Sequence, residues 1–409
     1  MSVPANRRLL FFSPLLAMPD QHGGCVYPYA VLAELHRQGV AIDYAWLSAP
    51  LGKRRVMRNP LTGGFVTRGW VRGTLGLSGL LIPDSLAGWF GRSADAGTGG
   101  KGEQLPLLAE QTFAAQMIRR SGATAILVDG TYSLPILDRL SPAERARLRV
   151  GVLTHNLNCR RTDLYRAHHQ PLDFLPMTAA EETALLERAD VVIAIQDREA
   201  EAFRSMLPGR RVITVPMPIQ PHPQPPNREI PGRCVFVGGF SGHNIEALHW
   251  LLRDIWPRVL AAQPAAELAV AGTVCQAITN APAGVRLLGP LSDLDAFYAT
   301  AAVSLVPLAM GTGLKIKLVE AMGRGRAVVT TAAGAEGFPE LEAGEVAVVA
   351  DEAVDFSAAV LKLLAGSAWR REVAQRQLAW IAHRLAPADV VAPLRELWAP
   401  AAAPAQAAH

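Results

Sequence analysis

Seven prolines fall within eighteen residues, Val215 to Gly232 (VPMPIQPHPQPPNREIPG). Proline fixes its φ and donates no backbone N–H, so this stretch is neither a helix nor an inner strand. It reads as an extended linker. On its N-terminal side, strand and helix signals alternate. Arg8–Ser13 reads as a strand, Met18–Gly24 as a loop, Val26–Gln38 as a helix and Val40–Leu47 as a second strand. Short buried strands follow at Ala125–Val128, Val150–Thr154 and Val191–Ile195. They end at Asp129-Gly130-Thr131-Tyr132, His155-Asn156 and Gln196-Asp197. After the linker the alternation restarts with a strand at Cys234–Val237, the loop Gly238–Asn244, and a helix over Ile245–Ile255 that Pro257 ends or kinks. Further strands are Leu268–Ala271, Val285–Leu288 and Val303–Pro307. This pattern predicts an α/β chain with two doubly wound, Rossmann-like domains facing each other across a cleft. The predicted division is a first domain over 1–216, a linker over 217–232 and a second domain over 233–375. Helices over 376–399 are expected to pack back on the first domain, and the Ala/Pro-rich tail 400–409 is expected to be disordered.

Composition narrows the function classes. The 409 residues allow two or three domains with their own cores. Apolar content of 50% with 19% charged residues suits a globular α/β protein. A net charge of +4 is too small to argue for nucleic-acid binding. Cys25, Cys159, Cys234 and Cys275 are far apart and form no C-x-x-C pair, so they read as reduced thiols of a cytosolic protein. Arg7 and Arg8 precede LLFFSPLLAM, but Pro14 interrupts that run and it is too short to span a membrane. No clustered Asp-x-Asp or His/Asp pattern predicts a metal site.

The stretch Gly311–Thr331 (GTGLKIKLVEAMGRGRAVVTT) carries the most chemistry. It reads as a glycine-rich loop, a helix from about Gly313 to Arg324, a stop at Gly325 and a strand over Ala327–Thr330. Leu314, Leu318 and Met322 fall on one side of that helix, and Ile316, Val319 and Gly323 on the other. Lys317, Glu320 and Arg324 form a narrow polar line between them, with Lys315 in the first turn off that line. A helix apolar on most sides is mostly buried. Charges near its glycine-rich start fit an anionic, hydroxylated ligand, because N–H groups at a helix N-terminus hold phosphate oxygens. A solvated surface face would give the same line of charges.

These residues resemble the nucleotide-sugar site of retaining glycosyltransferases with the GT-B fold, in the large group 1 (family 4) class. That class shows G-x-G, a basic residue, then E-A-M-A-x-G-x-P-V-V. Gly311, Gly313, Lys315, Lys317, Glu320, Ala321, Met322, Gly325, Val328 and Val329 match it here. Two departures are visible: Thr312 stands where many relatives carry an earlier glutamate, and Ala327 replaces the usual proline. The resemblance implies that Gly238, Gly239, Gly311, Gly313, Lys315, Lys317 and Glu320 bind the donor. Relatives place Arg and Lys after the Gly238-Gly239 loop, whereas this chain has His243 and Asn244, so the cationic role shifts to Lys315 and Lys317. Gly289-Pro290-Leu291 would lie near the nucleobase.

In the first domain the resemblance implies that His155, at the end of its strand, faces the reacting sugar as the catalytic residue. A histidine that merely caps a strand is the plain alternative. His22, Gly23 and Gly24, with Asp129, read as an acceptor or phosphate loop, the glycine pair fitting a simple turn equally well. Arg160 and Arg161 either meet an acceptor phosphate or lie in solvent. The segment Glu181–Phe203 reads as scaffold. Leu51–Gln104 does not fit the alternation: basic residues precede the apolar run Thr74–Phe90, with Trp70 and Trp89 beside it. It reads either as an element resting on an anionic membrane or as a core helix pair with a glycine-rich loop.

The resemblance implies transfer of a hexose-like sugar from a UDP- or GDP-linked donor to a polysaccharide or lipid-linked oligosaccharide acceptor, with retention. It implies no metal and no cofactor beyond the substrate nucleotide sugar. The expected location is the cytoplasm, at the inner face of the membrane if the acceptor is lipid-linked. The rival readings are a catalytically inactive GT-B partner subunit and a GT-B sugar-nucleotide epimerase. An epimerase would need several carboxylates in the cleft, which the sequence does not offer.

Overall fold

The computed structural model describes residues 7–15, 23–49, 56–58, 66–71 and 104–398. The strands of the first sheet are β1 (Arg8–Ser13), β2 (Ala41–Ala49), β3 (Val56–Arg58), β4 (Val66–Val71), β5 (Ala125–Asp129), β6 (Arg149–Leu153), β7 (Val191–Ala194) and β8 (Arg211–Thr214). Their spatial order is β3-β4-β2-β1-β5-β6-β7-β8. Only the edge pair β3/β4 is antiparallel. The second sheet contains β9 (Arg233–Val237), β10 (Glu267–Ala271), β11 (Val285–Gly289), β12 (Val303–Val306), β13 (Ala327–Thr330) and β14 (Val348–Val349). It runs β11-β10-β9-β12-β13-β14 and is parallel throughout. The inner strands β5, β7, β12 and β13 are buried at every position. Both faces of each sheet are therefore covered, as parallel sheets require. Two doubly wound α/β domains result.

Six helices bear on the site: α1 (Gly23–Arg37), α2 (Asn158–Ala167), α3 (Asp197–Met206), α4 (Gly242–Trp250), α5 (Ile316–Gly323) and α6 (Ser367–Arg384). The helix expected over Ile245–Ile255 begins earlier and continues past Pro257. One π-helical turn, Leu251–Ile255, precedes the α-turn Trp256–Ala262. Pro257 lacks an N–H, and the wider turn lets it sit at the start of a new helical segment instead of ending the helix. Conversely, α5 starts at Ile316, not Gly313, because Gly313 is left-handed at φ 68°.

The proline-rich stretch forms no strand. It runs along the second domain, with His222 N donating to Gly323 O at 3.0 Å and Gln224 N to Arg324 O at 2.9 Å. Helix α6 lies on the second sheet, where Gln377 Oε1 accepts from Val328 N at 3.1 Å. Residues 387–398 then lie against the first sheet. Arg211 pairs with Glu396 at 2.5 Å, and Trp398 Nε1 donates to Arg8 O at 3.3 Å. Most of Leu51–Gln104, the tail 400–409 and His22 lie outside the described residues; within that segment β3 and β4 add an edge to the first sheet. Among the described residues no helix is long and apolar enough to cross a membrane.

The topology fixes where ligands bind. In such sheets the crevice lies at the carboxyl ends of the strands, where the strand order reverses. The first sheet reverses between β1 and β5, so Ser13 and Asp129 flank its crevice. The second reverses between β9 and β12, which brings together the Gly238–Asn244 loop and the Leu308–Lys315 loop.

Candidate active site

In the second domain, Asn244 ties down the loop after β9. Its Nδ2 donates to Gly239 O at 3.0 Å and to Ser241 Oγ at 2.9 Å. Phe240 N donates to Thr273 Oγ1 at 2.8 Å. Lys317, from α5 on the other side of the switch point, donates its Nζ to Asn244 Oδ1. The ammonium also lies 5.0 Å from the Phe236 ring centroid. Burial pushes the Lys317 amine down to about 7. His243 is pushed down to about 3, first by burial and then by Lys317, so it is neutral near pH 7. Its Nδ1 is hydrogen-bonded to Tyr165 Oη of the first domain at 2.9 Å. The cation at this loop is thus supplied by Lys317, in a position where His243 carries no charge.

Lys315 is placed differently. Its Nζ donates to Gly311 O at 3.2 Å and Gly313 O at 3.0 Å, so it braces its own loop. It also lies 3.8 Å from Glu336. Burial lowers its amine to about 8, with Glu336 and Glu199 opposing that shift. Glu336 gathers two more cations from the first domain, Arg160 at 2.5 Å and Arg198 at 2.8 Å. Arg161 stacks instead over Phe174, 3.8 Å from the ring centroid.

Glu320 sits one turn along α5 from Lys317, with its side chain 15% exposed. Burial raises its carboxyl above the ordinary carboxylate range, and Arg324, 4.0 Å away, opposes this. Arg324 is itself held by Asp295 at 2.7 Å and lies over the Tyr298 ring. The polar line read from the sequence is therefore one continuous edge of α5.

In the first domain, three side chains form a chain across the switch point. Ser13 Oγ donates to Asp129 Oδ2 at 2.6 Å, and His155 Nε2 donates to Asp129 Oδ1 at 2.6 Å. Asp129 is buried, while 24% of the His155 side chain is exposed. Tyr27 meets the His155 ring edge to face at 5.5 Å and donates its hydroxyl to Val215 O at 2.6 Å. Burial and Asp129 push the Cys25 thiol up to about 12, which leaves it protonated and a poor nucleophile. Gly23 and Gly24 open α1, in the connection that follows β1.

The two loops meet at Gly313. A Cβ added there would lie 2.3 Å from His155 O. Only glycine fits this approach at φ 68°. With its amide oriented to satisfy its neighbours, Asn156 donates to Thr312 Oγ1 at 2.9 Å, Thr312 O at 3.3 Å and His155 O at 3.2 Å. Thr312, where the resembling class carries a glutamate, is thus docked on the first domain. Sequence reasoning missed Ser13, Glu182, Glu199 and Glu336, and named Asn156 only as part of a strand end. Glu182 accepts from Asn158 N and Cys159 N at the start of α2. Both Glu182 and Glu199 come from the segment read as scaffold. A signal for Glu199 was present: it shares a buried helix face with Ala200 and Phe203. A cleft of about 600 Å³ opens beside Leu308 and Thr331, between α4 and Asp351, and none of the expected donor residues lines it.

Comparison with known proteins bears on these crevices. Residues 231–366 match the family described as Glycosyl transferases group 1. A Klebsiella pneumoniae protein, an uncharacterized 44.6 kDa protein in the cps region, is 27% identical over 159 residues, which is 36% of this chain and 41% of that protein. Sucrose-phosphate synthase from Thermosynechococcus elongatus superposes with a TM-score of 0.69 at 16% identity, over 96% of this chain and 98% of the other. HepE of Anabaena, in complex with UDP and glucose, gives 0.63 at 13% identity over 96% and 99%. An E. coli trehalose-6-phosphate structure bound with UDP-2-fluoro glucose gives 0.61 at 12% identity over 96% and 99%. The structural likenesses show the fold. Residues 231–366 are similar to the glycosyl transferases group 1 family and the chain as a whole has the GT-B fold, a combination that supports glycosyltransferase chemistry.

Proposed function

We propose that the protein transfers a sugar from a nucleotide diphosphate to a polysaccharide or lipid-linked oligosaccharide acceptor, with retention at the anomeric carbon. The observation that carries this reading is the meeting of the two switch-point crevices at Gly313 and His155. On one side Lys317, the glycine loop and the start of α4 form an electropositive seat for a diphosphate. On the other, Asp129 holds the ring of His155, whose own carbonyl lies at the same junction. In this reading Lys317 and the loop N–H groups stabilise the leaving diphosphate. Glu320 accepts from the donor ribose, and His155 hydrogen-bonds a hydroxyl of the reacting sugar. Structural neighbours solved with UDP and a sugar support a nucleotide-sugar donor, and UDP or GDP is expected here.

The test is a panel of UDP- and GDP-sugars, scored by thermal shift and then by hydrolysis without acceptor, with the product anomer read by NMR. Binding of one donor, with slow hydrolysis to the same anomer, is expected. No shift and no hydrolysis with any donor would favour an inactive GT-B partner subunit. One observation favours that second reading: Thr312 replaces a glutamate and is bound to Asn156.

A further inference from the structure

Glu199 sits where the two domains meet. It lies in the first turn of α3, is 1% exposed, and points inward. Its neighbour Arg198 reaches outward to Glu336 of the second domain. One carboxylate oxygen of Glu199, Oε1, accepts two backbone N–H groups. Leu157 N donates at 3.0 Å and Gly313 N at 2.9 Å. Leu157 is two residues past His155, in the turn that carries it. Gly313 lies between Thr312 and Lys315 in the loop that leads into α5. The carboxylate therefore bonds both loops at the point where their backbones touch.

We propose that Glu199 is a positioning residue whose Oε1 clasps the His155 turn to the Gly311–Lys315 loop, setting the separation of the two halves of the site when the domains are closed. Its effect on turnover rests on the glycosyltransferase reading. The neighbouring Arg198–Glu336 ion pair is a weaker candidate for this role. Arg198 is 52% exposed, and exposed pairs add little in water. A buried acceptor shared by two N–H groups has no water to replace it, so its loss leaves both donors unsatisfied.

The experiment compares the full chain with Glu199→Ala, Glu199→Gln and Gly313→Ala. Glutamine keeps a carbonyl oxygen that accepts both N–H groups, and alanine removes it. Gly313→Ala drives a Cβ into His155 O and displaces the Gly313 N–H that Glu199 accepts, leaving the Glu199 side chain itself unchanged. Three quantities are read: the radius of gyration by X-ray scattering with and without UDP and GDP, nucleotide affinity by calorimetry, and turnover of the nucleotide sugar. Glu199→Ala and Gly313→Ala should lose at least about tenfold in turnover and scatter as a more open particle, and Glu199→Ala should keep nucleotide affinity within about threefold of the parent. Glu199→Gln should stay within about threefold of the parent in turnover, and as compact. A Glu199→Ala protein as compact and active as the parent would overturn the proposal. So would a Glu199→Gln protein as impaired as the alanine variant, since charge and not the shared acceptor would then be responsible. If Glu199→Ala does not fold, Glu199→Asp, whose shorter side chain does not reach both N–H groups, carries the same comparison. If the parent turns over no nucleotide sugar, the functional reading fails, while the scattering comparison still decides whether the clasp exists.

Discussion

Asp129 Oδ1 lies 2.6 Å from His155 Nε2, and the other oxygen of the same carboxylate holds Ser13 at 2.6 Å. A ring nitrogen bound to a buried carboxylate has its orientation and tautomer set. Asp129→Asn should lower turnover roughly hundredfold, within the range of a lost acid–base contribution. Ser13→Ala should cost roughly tenfold, as one hydrogen bond to a charged group contributes about 1.5–3 kcal/mol. Both should leave nucleotide affinity near the parental value. A parental turnover in Asp129→Asn, measured by steady-state kinetics, would remove His155 from the chemistry.

Lys315 and Lys317 should separate cleanly. Lys317→Ala is expected to weaken UDP or GDP binding by about tenfold or more, equivalent to about 1.4 kcal/mol, with little change in melting temperature. Lys315→Ala is expected to destabilise the fold by roughly 1–3 kcal/mol, because it leaves the Gly311 and Gly313 carbonyls and Glu336 short of a partner. Calorimetry and thermal denaturation check the pair. Equal nucleotide affinity in Lys317→Ala would move the phosphate seat elsewhere.

Nucleotide binding should depend on pH through Lys317. Burial disfavours the charged form and pushes its amine down to about 7. An anion favours the charged form and raises that value, so binding takes up a proton above pH 7. Affinity is then full below pH 7 and falls as pH rises, by up to about tenfold per unit. The window from about pH 7 to 9 lies above the ionisation of the nucleotide's own terminal phosphate near 6. Calorimetry in buffers of different ionisation enthalpy reads the proton count, and Lys317→Ala should abolish the slope.

Glu320→Ala should weaken nucleotide binding about tenfold without unfolding the protein, because one hydrogen bond to a charged group contributes about 1.5–3 kcal/mol. Its place on the same edge of α5 as Lys317 motivates this. A variant that binds UDP and GDP like the parent would place the ribose elsewhere.

The segment Leu51–Phe90 joins basic residues to an apolar run, and a lipid-linked acceptor would require approach to a membrane. The chain should then sediment with anionic vesicles at low salt and be released at high salt, since screening acts within about 10 Å at ~0.1 M. No sedimentation at low salt would favour a soluble acceptor.

Much of the fold was legible because it rests on local rules. Apolar runs such as Val191–Ile195 and Val303–Pro307 have the length and composition of buried parallel strands, and the proline-rich stretch excluded regular structure by its own chemistry. The polar edge of α5 followed from helical periodicity alone. Boundaries were less legible where the backbone answers to tertiary contacts. Gly313 delays α5 because its left-handed conformation fits the His155 carbonyl, and that carbonyl is 158 residues away in the chain. The distinction between Lys315 and Lys317 was likewise invisible, since both are lysines in one turn and only the packed loop shows which amine braces carbonyls and which reaches Asn244. Glu199 is the clearest case. Its i, i+4 spacing puts it on the helix face of Phe203, but its burial and its bonds to Leu157 and Gly313 come from parts of the chain that no periodicity relates. Strand order, and with it the meeting of Ser13, Asp129 and His155, was decided only by the tertiary structure, because hydrogen bonding between strands is indifferent to how far apart they stand in sequence.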